Sequence, residues 1–354
     1  MTTADRLAAY LAVLEADGQP VLAGAGGDGG RGGGGGRGGG GGRGGGGSAP
    51  ELRSGQFHDV VLAGSVAYRF PRDEESRRLL PARVALLTAL GERELPVAVP
   101  VPLGANWLDR PLGRCYVPLT RLAGTPAGPA LLDDPSAADA MAAQLAQLLD
   151  RLAALGASDA VREAVPEAGP RDWRDWAEQV RAVLFPLMSA AGRRRAEAEL
   201  AAVQRVPAAG DALVHTDLGG ANLLLMTVAG PPRLAGILDW DNACIGNQAN
   251  DVASLAVTFG WSVAARIVSG RGEGRGAEGR GAEARGAEGR GAEGRGAEGR
   301  GAEGGRAEAG EPGPAGSMLA EARLIAATFA LQQALPAALS GDEESLADGL
   351  SQYT

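Results

Sequence analysis

Residues 213–222 read Leu-Val-His-Thr-Asp-Leu-Gly-Gly-Ala-Asn, and Asp239-Trp240-Asp241 close the strand pair that follows them. Between these stretches, residues 223–228 (Leu-Leu-Leu-Met-Thr-Val) form a short apolar run. Gly230, Pro231 and Pro232 mark a turn, and residues 234–238 (Leu-Ala-Gly-Ile-Leu) read as the returning strand. Asn222 precedes the first strand and Asp239 follows the second, so antiparallel pairing predicts that both lie at the same end. Asp217, on the loop just before, can join them. Two carboxylates and an amide oxygen are hard ligands that suit Mg²⁺, an ion that keeps several waters and binds substrate phosphates. Phosphoryl transfer needs such a set: metal to neutralise a polyphosphate, and a carboxylate to orient the incoming hydroxyl and accept its proton. In this reading Asp217 is the base, and Asn222 and Asp239 hold Mg²⁺.

The surrounding chain must supply a scaffold for that loop. It has 354 residues, enough for a large core and more than one lobe. Two stretches must be subtracted. Residues 24–47 are nearly all Gly, broken by Arg31, Arg37 and Arg43, and residues 270–316 repeat a Gly-Ala-Glu-Gly-Arg unit. Neither carries a large apolar side chain to offset the entropy of ordering, so 23–48 and 270–316 are expected to be disordered insertions.

Bulk chemistry excludes several classes. The net charge of −9 argues against a nucleic-acid binder that relies on overall positive charge, and favours cationic or neutral substrates. Two cysteines, Cys115 and Cys244, make a disulfide framework unexpected and fit a reducing cytoplasm. No basic start followed by an apolar run suggests a signal peptide, and no apolar segment reaches membrane-spanning length, so no membrane partner is expected. The chain contains no lysine, which excludes a Walker A loop and lysine Schiff-base chemistry. Scattered His and Cys residues give no zinc-ligand spacing.

Leu7, Tyr10, Leu11 and Leu14 predict a helix over 3–15. Residues 56–63 and 65–70 read as strands around a tight turn at Gly64. Residues 73–91 read as a helix with Leu79, Leu80, Val84, Leu87 and Leu90 on one side. Strands are expected near 103–108 and 114–119, giving a β-β-α-β-β lobe, with 120–130 as linker. Beyond it the chain turns helical. Asp134 caps a helix with Pro135 at its first position, followed by the stripe Met141, Leu145, Leu148, Leu149, Leu152 and Leu155. Further helical regions are expected at about 171–204 and 317–339.

His215-x-Asp217-x4-Asn222 followed by Asp239-Trp240-Asp241 resembles the catalytic and metal motifs of the aminoglycoside phosphotransferase family, small-molecule kinases related to choline kinases and remotely to protein kinases. Residues 243–251, Ala-Cys-Ile-Gly-Asn-Gln-Ala-Asn-Asp, are similar to the family's stretch after the metal aspartate, and Asp251 matches a recurrent aspartate. The strongest match covers about 40 residues. The resemblance implies an α+β, two-lobed, protein-kinase-like fold. A small mixed β/α nucleotide-binding lobe would span 1–119, and a larger, mainly helical catalytic and substrate lobe 120–354. His215 is read as a group that stabilises the loop by hydrogen bonding, and Asp251 as one that braces the loop or caps a helix. Two readings of Asp241 stand, a metal contact or a solvated carboxylate.

The same resemblance implies ATP or GTP as donor. A strand cation that contacts the phosphates corresponds to Arg69, since arginine binds phosphate bidentately. Its usual helix carboxylate has no obvious counterpart, because that position is occupied by Arg83. Ser54 and Gly55 stand where a phosphate-covering turn would lie, and Val117, with Tyr116 and Pro118, where backbone groups would meet a base. Trp173 and Trp176 read as core first and as an aromatic pocket wall second. Asp172, Asp175 and Glu178 form either a solvated face or a cation contact. The implied activity is phosphorylation of a small hydroxyl-bearing molecule, an aminoglycoside-like antibiotic or a metabolite. A non-catalytic nucleotide-binding relative and a metal-dependent hydrolase are the alternatives.

Overall fold

The computed structural model describes residues 2–21, 49–55, 57–128, 134–165, 172–207, 209–227, 230–271 and 314–354. The expected insertions at 23–48 and 270–316 lie almost wholly outside the described residues. Gly270 and Arg271 are described, and a helix already begins at Pro314. The chain divides into two compact units. One comprises 1–125, 159–167 and 235–241; the other comprises 126–158, 168–234 and 242–354.

The first unit is built on an antiparallel sheet of order β1-β2-β3-β4, with β1 Glu51–Ser54, β2 His58–Ala63, β3 Val66–Pro71 and β4 Val117–Thr120. Gly64 turns the β2–β3 hairpin with φ 58°, a conformation only glycine adopts without strain. The register pairs Asp59 with Phe70, Val61 with Tyr68 and Ala63 with Val66, so strand alternation puts these six on one face. Helix α1 (Thr3–Ala16), opened by a capping box between Thr2 and Asp5, covers that face. Leu14, Val61, Ala63, Tyr68, Phe70 and Tyr116 form the core there, with Leu7, Tyr10 and Leu11 packed against it. The opposite face carries His58, paired with Pro71, and Arg69, paired with Val60.

Helix α2 (Glu74–Gly91) is capped by Asp73, whose side chain accepts from Ser76 N at 2.7 Å. Its buried stripe includes Leu80, Arg83, Val84, Leu87 and Leu90, so Arg83 lies on the inward face. Residues 235–237 join this unit through Ala98, which donates to Ala235 O (2.9 Å) and accepts from Ile237 N (3.0 Å). Gly236 eases this approach, since a Cβ there would lie a tight 3.3 Å from Ala98 O.

The expected β-β-α-β-β order is corrected to β-β-β-α-β. Glu51–Ser54 is an additional strand, and 103–108 is not one. Pro102, Gly104 and Pro111 break the pattern there; Trp107 instead stacks on Tyr116 with ring centroids 5.0 Å apart. The strand expected at 114–119 starts three residues later, at Val117.

In the second unit, α3 (Pro135–Leu155) follows its Asp134 cap as expected, and the predicted apolar stripe is buried. Its C-terminal Gly156 abuts the main chain of Asp211, where a Cβ would come within 1.9 Å. That approach docks β6 (Ala212–Val214), which pairs antiparallel with β9 (Cys244–Gly246), Val214 opposite Cys244. The strand β7 (Leu223–Met226) neighbours β8 (Arg233–Ile237), whose first two residues belong to this unit.

Helices α4 (Asp159–Ala164), in the first unit, and α7 (Ala249–Phe259) and α8 (Trp261–Ser269) were not anticipated. The helical region expected over 171–204 is broken at Pro186 into α5 (Trp173–Val183), a 3₁₀ turn (Phe185–Leu187) and α6 (Ala190–Val203). The last expected region divides into α9 (Pro314–Ala326) and α10 (Phe329–Ser340), followed by α11 (Glu343–Leu350). Among the described residues no helix is long and apolar enough to cross a membrane.

Candidate active site

In the second unit the loop between β6 and β7 carries His215, Asp217 and Asn222. Asp251, fully buried in the first turn of α7, accepts from His215 N through both carboxylate oxygens (3.1 Å each) and from Thr216 N (2.8 Å). It is therefore the brace that the sequence suggested. Burial pushes its carboxyl up to about 6, against the opposing pull of these hydrogen bonds and of His215. Thr216 is held at φ 69°, a left-handed conformation unusual for a β-branched residue, and its hydroxyl donates to Asn242 O at 3.2 Å. Strain of this kind persists only where neighbours over-determine it. His215 Nδ1 accepts from Asp217 N at 3.3 Å, which gives this buried ring a structural task.

Asn222 Nδ2 donates to Asp217 O and to Asp217 Oδ2, both at 2.9 Å. Both partners are acceptors, so the amide nitrogen must face them and Oδ1 points elsewhere as an acceptor. Gly220 N donates to Thr258 Oγ1 at 3.0 Å, tying the loop to α7.

In the first unit Asp239 and Asp241 meet the sheet. Asp239 has φ 58°, a second strained non-glycine residue, and its side chain is about half exposed (51 %). Arg69 Nη2 reaches Asp239 Oδ1 at 3.3 Å and makes a short contact to Asp241 Oδ2. Arg83 Nε lies 3.2 Å from Asp241 Oδ1, and Arg83 Nη2 donates to Asp241 O at 3.4 Å. The Asp241 side chain is only 6 % exposed, so the solvated reading of this carboxylate is overturned. Burial raises its pKa, and Arg69 and Arg83 oppose the rise. His58 is also buried here; burial, then the charges of Arg69 and Arg83, depress its pKa to about 2. The imidazole is thus neutral, and its Nδ1 accepts from Arg69 Nη2 at 3.0 Å.

The cluster around Asp241 was missed as such from sequence. Its signal was Arg83 itself: a cation within an apolar helical stripe requires a buried carboxylate.

The β1–β2 turn is tied down internally. Gly55 N donates to His58 O (2.8 Å) and Gly55 O accepts from Arg72 Nη1 (2.6 Å), so the Gly55 amide is already engaged. Ser54 Oγ accepts from Arg6 Nη2 at 3.2 Å. Val117 is buried at the start of β4 opposite Arg69. Pro118 has no N–H and its carbonyl accepts from Leu103 N at 2.8 Å, which leaves Tyr116 and Val117 as the candidates for base contact. Asp172 caps α5, accepting from Arg174 N and Asp175 N, while Trp173 and Trp176 are buried and packed edge to face. The core reading of the tryptophans stands.

Each unit presents an oxygen donor of the kind a hard cation takes: the Asn222 amide oxygen in the second, and the half-exposed Asp239 carboxylate in the first. Among the described residues no group of three or more His, Cys, Asp or Glu is gathered for a metal.

The phosphotransferase enzyme family profile matches residues 50–288. Viomycin phosphotransferase from Streptomyces vinaceus is 39 % identical over 305 residues, 85 % of this chain and 91 % of that protein. A solved complex of the aminoglycoside phosphotransferase APH(2″)-IIIa with GDP and kanamycin superposes with a TM-score of 0.63 at 19 % identity, covering 86 % of this chain and 91 % of that one. Macrolide 2'-phosphotransferase type I gives a TM-score of 0.61 at 19 % identity, covering 100 % and 98 %. These structures share the kinase-like α+β fold expected from the sequence.

Proposed function

The chain belongs to the phosphotransferase enzyme family, and from that premise we propose that it moves the γ-phosphoryl group of ATP or GTP to a hydroxyl of a small-molecule antibiotic, with viomycin the first acceptor to try. Membership makes it a small-molecule phosphotransferase and sets aside the non-catalytic and hydrolase readings. The observation that best supports the assignment of roles is the double donation of Asn222 to Asp217.

In this reaction the acceptor O–H proton passes to Asp217, the acceptor oxygen bonds to the γ-phosphorus, and the bridging bond to the β-phosphate breaks to release nucleoside diphosphate. Asn222 fixes the rotamer of Asp217 through Oδ2 and presents its own Oδ1 outward. Asn222 and Asp239 are the residues that would hold Mg²⁺, which supplies charge neutralisation on the phosphates when bound. Arg69 binds phosphate oxygens, and Ser54 and Gly55 shape the turn beside them rather than donating from the Gly55 amide. Backbone groups of Val117 meet the base. The acidic net charge favours a basic acceptor, and two buried free cysteines suit a cytoplasmic setting.

The test is transfer of ³²P from γ-labelled ATP or GTP to viomycin, kanamycin and a macrolide, with Mg²⁺. Wild-type protein should label at least one acceptor, and Asp217→Asn should label none. Phosphate release independent of every acceptor, or no reaction with either nucleotide, would sink the proposal.

A further inference from the structure

Asp241 sits between two guanidinium groups that would otherwise repel each other. Its Oδ2 holds Arg69 from β3, its Oδ1 lies 3.2 Å from Arg83 Nε, and its carbonyl accepts from Arg83 Nη2 at 3.4 Å. All three side chains are largely buried: 13 %, 10 % and 6 % exposed for Arg69, Arg83 and Asp241. Trp240, also buried, donates from its ring to Ile237 O at 3.4 Å, fixing the turn between the two aspartates. Arg69 thus touches two carboxylates of unequal character. Its contact with Asp241 is dry. Its contact with Asp239 is longer, and Asp239 is half exposed.

A charge pair in a low-dielectric setting is held far more firmly than one open to water. Arg69 can therefore give up Asp239 to a ligand without losing its orientation, as long as Asp241 stays. Asp241 stays because Arg83 anchors it to the buried face of α2. Removing Arg83 leaves Asp241 with Arg69 as its one guanidinium partner; removing Asp241 leaves two buried cations facing each other.

Resting on the phosphotransferase reading above, we propose that Asp241 and Arg83 are positioning residues of the phosphate site. Asp241 aims the Arg69 guanidinium, and Arg83 fixes Asp241, so that Asp239 and Arg69 separate to receive a metal-bound polyphosphate. The role follows from a chain of contacts, α2 to Asp241 to Arg69, and it makes a cation on the helix useful where a carboxylate on the helix would hold Arg69 directly.

That last point gives the decisive experiment. Binding of Mg·ATP and Mg·GTP, and of the bare nucleosides adenosine and guanosine, is measured by calorimetry, alongside kcat and KM for nucleotide. Asp241→Asn should weaken the Mg-nucleotide at least tenfold and leave the nucleoside within twofold, a split that general loss of structure would not give. Should this variant fail to fold, the double variant Arg83→Glu/Asp241→Asn returns a carboxylate to Arg69 from the helix. It should bind Mg-nucleotide at least fivefold more tightly than the matched Arg83→Gln/Asp241→Asn control. Equal affinities for the two double variants, or Asp241→Asn binding like wild type, would overturn the positioning role while leaving the phosphotransferase reading intact. Wild-type protein that binds neither Mg-nucleotide would overturn both.

Discussion

Asn222 and Asp217 are joined twice, once to the main chain and once to the carboxylate of the aspartate, at 2.9 Å each. The amide therefore sets both the loop backbone and the rotamer of the proposed base. Asp217→Ala should lower kcat by about 10²–10⁴-fold, the range typical for loss of a positioned proton acceptor. Asn222→Ala should also lower kcat and should raise the Mg²⁺ concentration needed for half-maximal rate, because it removes both the clamp and the proposed metal ligand. Steady-state kinetics with a Mg²⁺ titration distinguishes the two; an unchanged Mg²⁺ dependence in Asn222→Ala would remove that residue from the metal.

Asp251 gives a pH prediction with a definite sign. Its folded pKa of about 6 lies above the ordinary aspartate value of 3.8, so between those values the folded state binds more protons than the unfolded state. Its contribution to stability is therefore most favourable below about pH 4 and declines as pH rises to about 6. The difference in unfolding free energy between wild type and Asp251→Asn should shift against wild type across that window and level off above it. Urea melts at several pH values provide the check; a difference that does not vary with pH would contradict the raised pKa.

A different carboxylate anchors the N-terminal helix. Asp59, 1 % exposed, accepts from Arg6 Nη1 (3.0 and 3.2 Å) and from Tyr10 OH (3.0 Å). Burial and the nearby Asp59 charge raise the Tyr10 hydroxyl to about 12, so it remains a donor at neutral pH. Arg6→Ala should cost about 1.5–3 kcal/mol, as expected for a hydrogen bond to a buried charge, and Tyr10→Phe should cost less. The double variant should fall short of additivity, since both act on one carboxylate. Thermal and chemical denaturation would show this.

Residues 272–313 contain no Val, Leu, Ile, Met or aromatic residue. Replacing them with a short Gly-Ser linker should move the melting temperature by about 2 °C or less, because no apolar burial is removed. Arg271 must be kept, since its Nε contacts Asp150 at 3.0 Å. A loss well beyond that would show that the repeat contributes to folding.

The loop of His215, Asp217 and Asn222 was legible as a set of polar groups embedded between short apolar strands, and the structure does join Asn222 to Asp217 there. Of the two readings of Asp251, a brace or a helix cap, its contacts with His215 N and Thr216 N favour the brace. Helix α3 was legible from Asp134, Pro135 and an unbroken leucine stripe. What escaped depended on tertiary contacts. Glu51–Ser54 has no strand pattern of its own and forms one by pairing with Val60 and its neighbours. Residues 103–108 have apolar content, but Trp107 is used for stacking on Tyr116 rather than for a ladder. Arg83 looked like a departure from a familiar pairing; its partner lies 158 positions away in sequence, at a separation that local pattern cannot reach.

Because Arg69 and Arg83, and no lysine, carry the buried positive charge, this site has no amine to modify. Acylating reagents that inactivate nucleotide-binding enzymes through a strand lysine have nothing to react with here, and lysine acetylation cannot silence it. An inhibitor would have to compete for shape and charge, because this site offers no lysine for a covalent warhead.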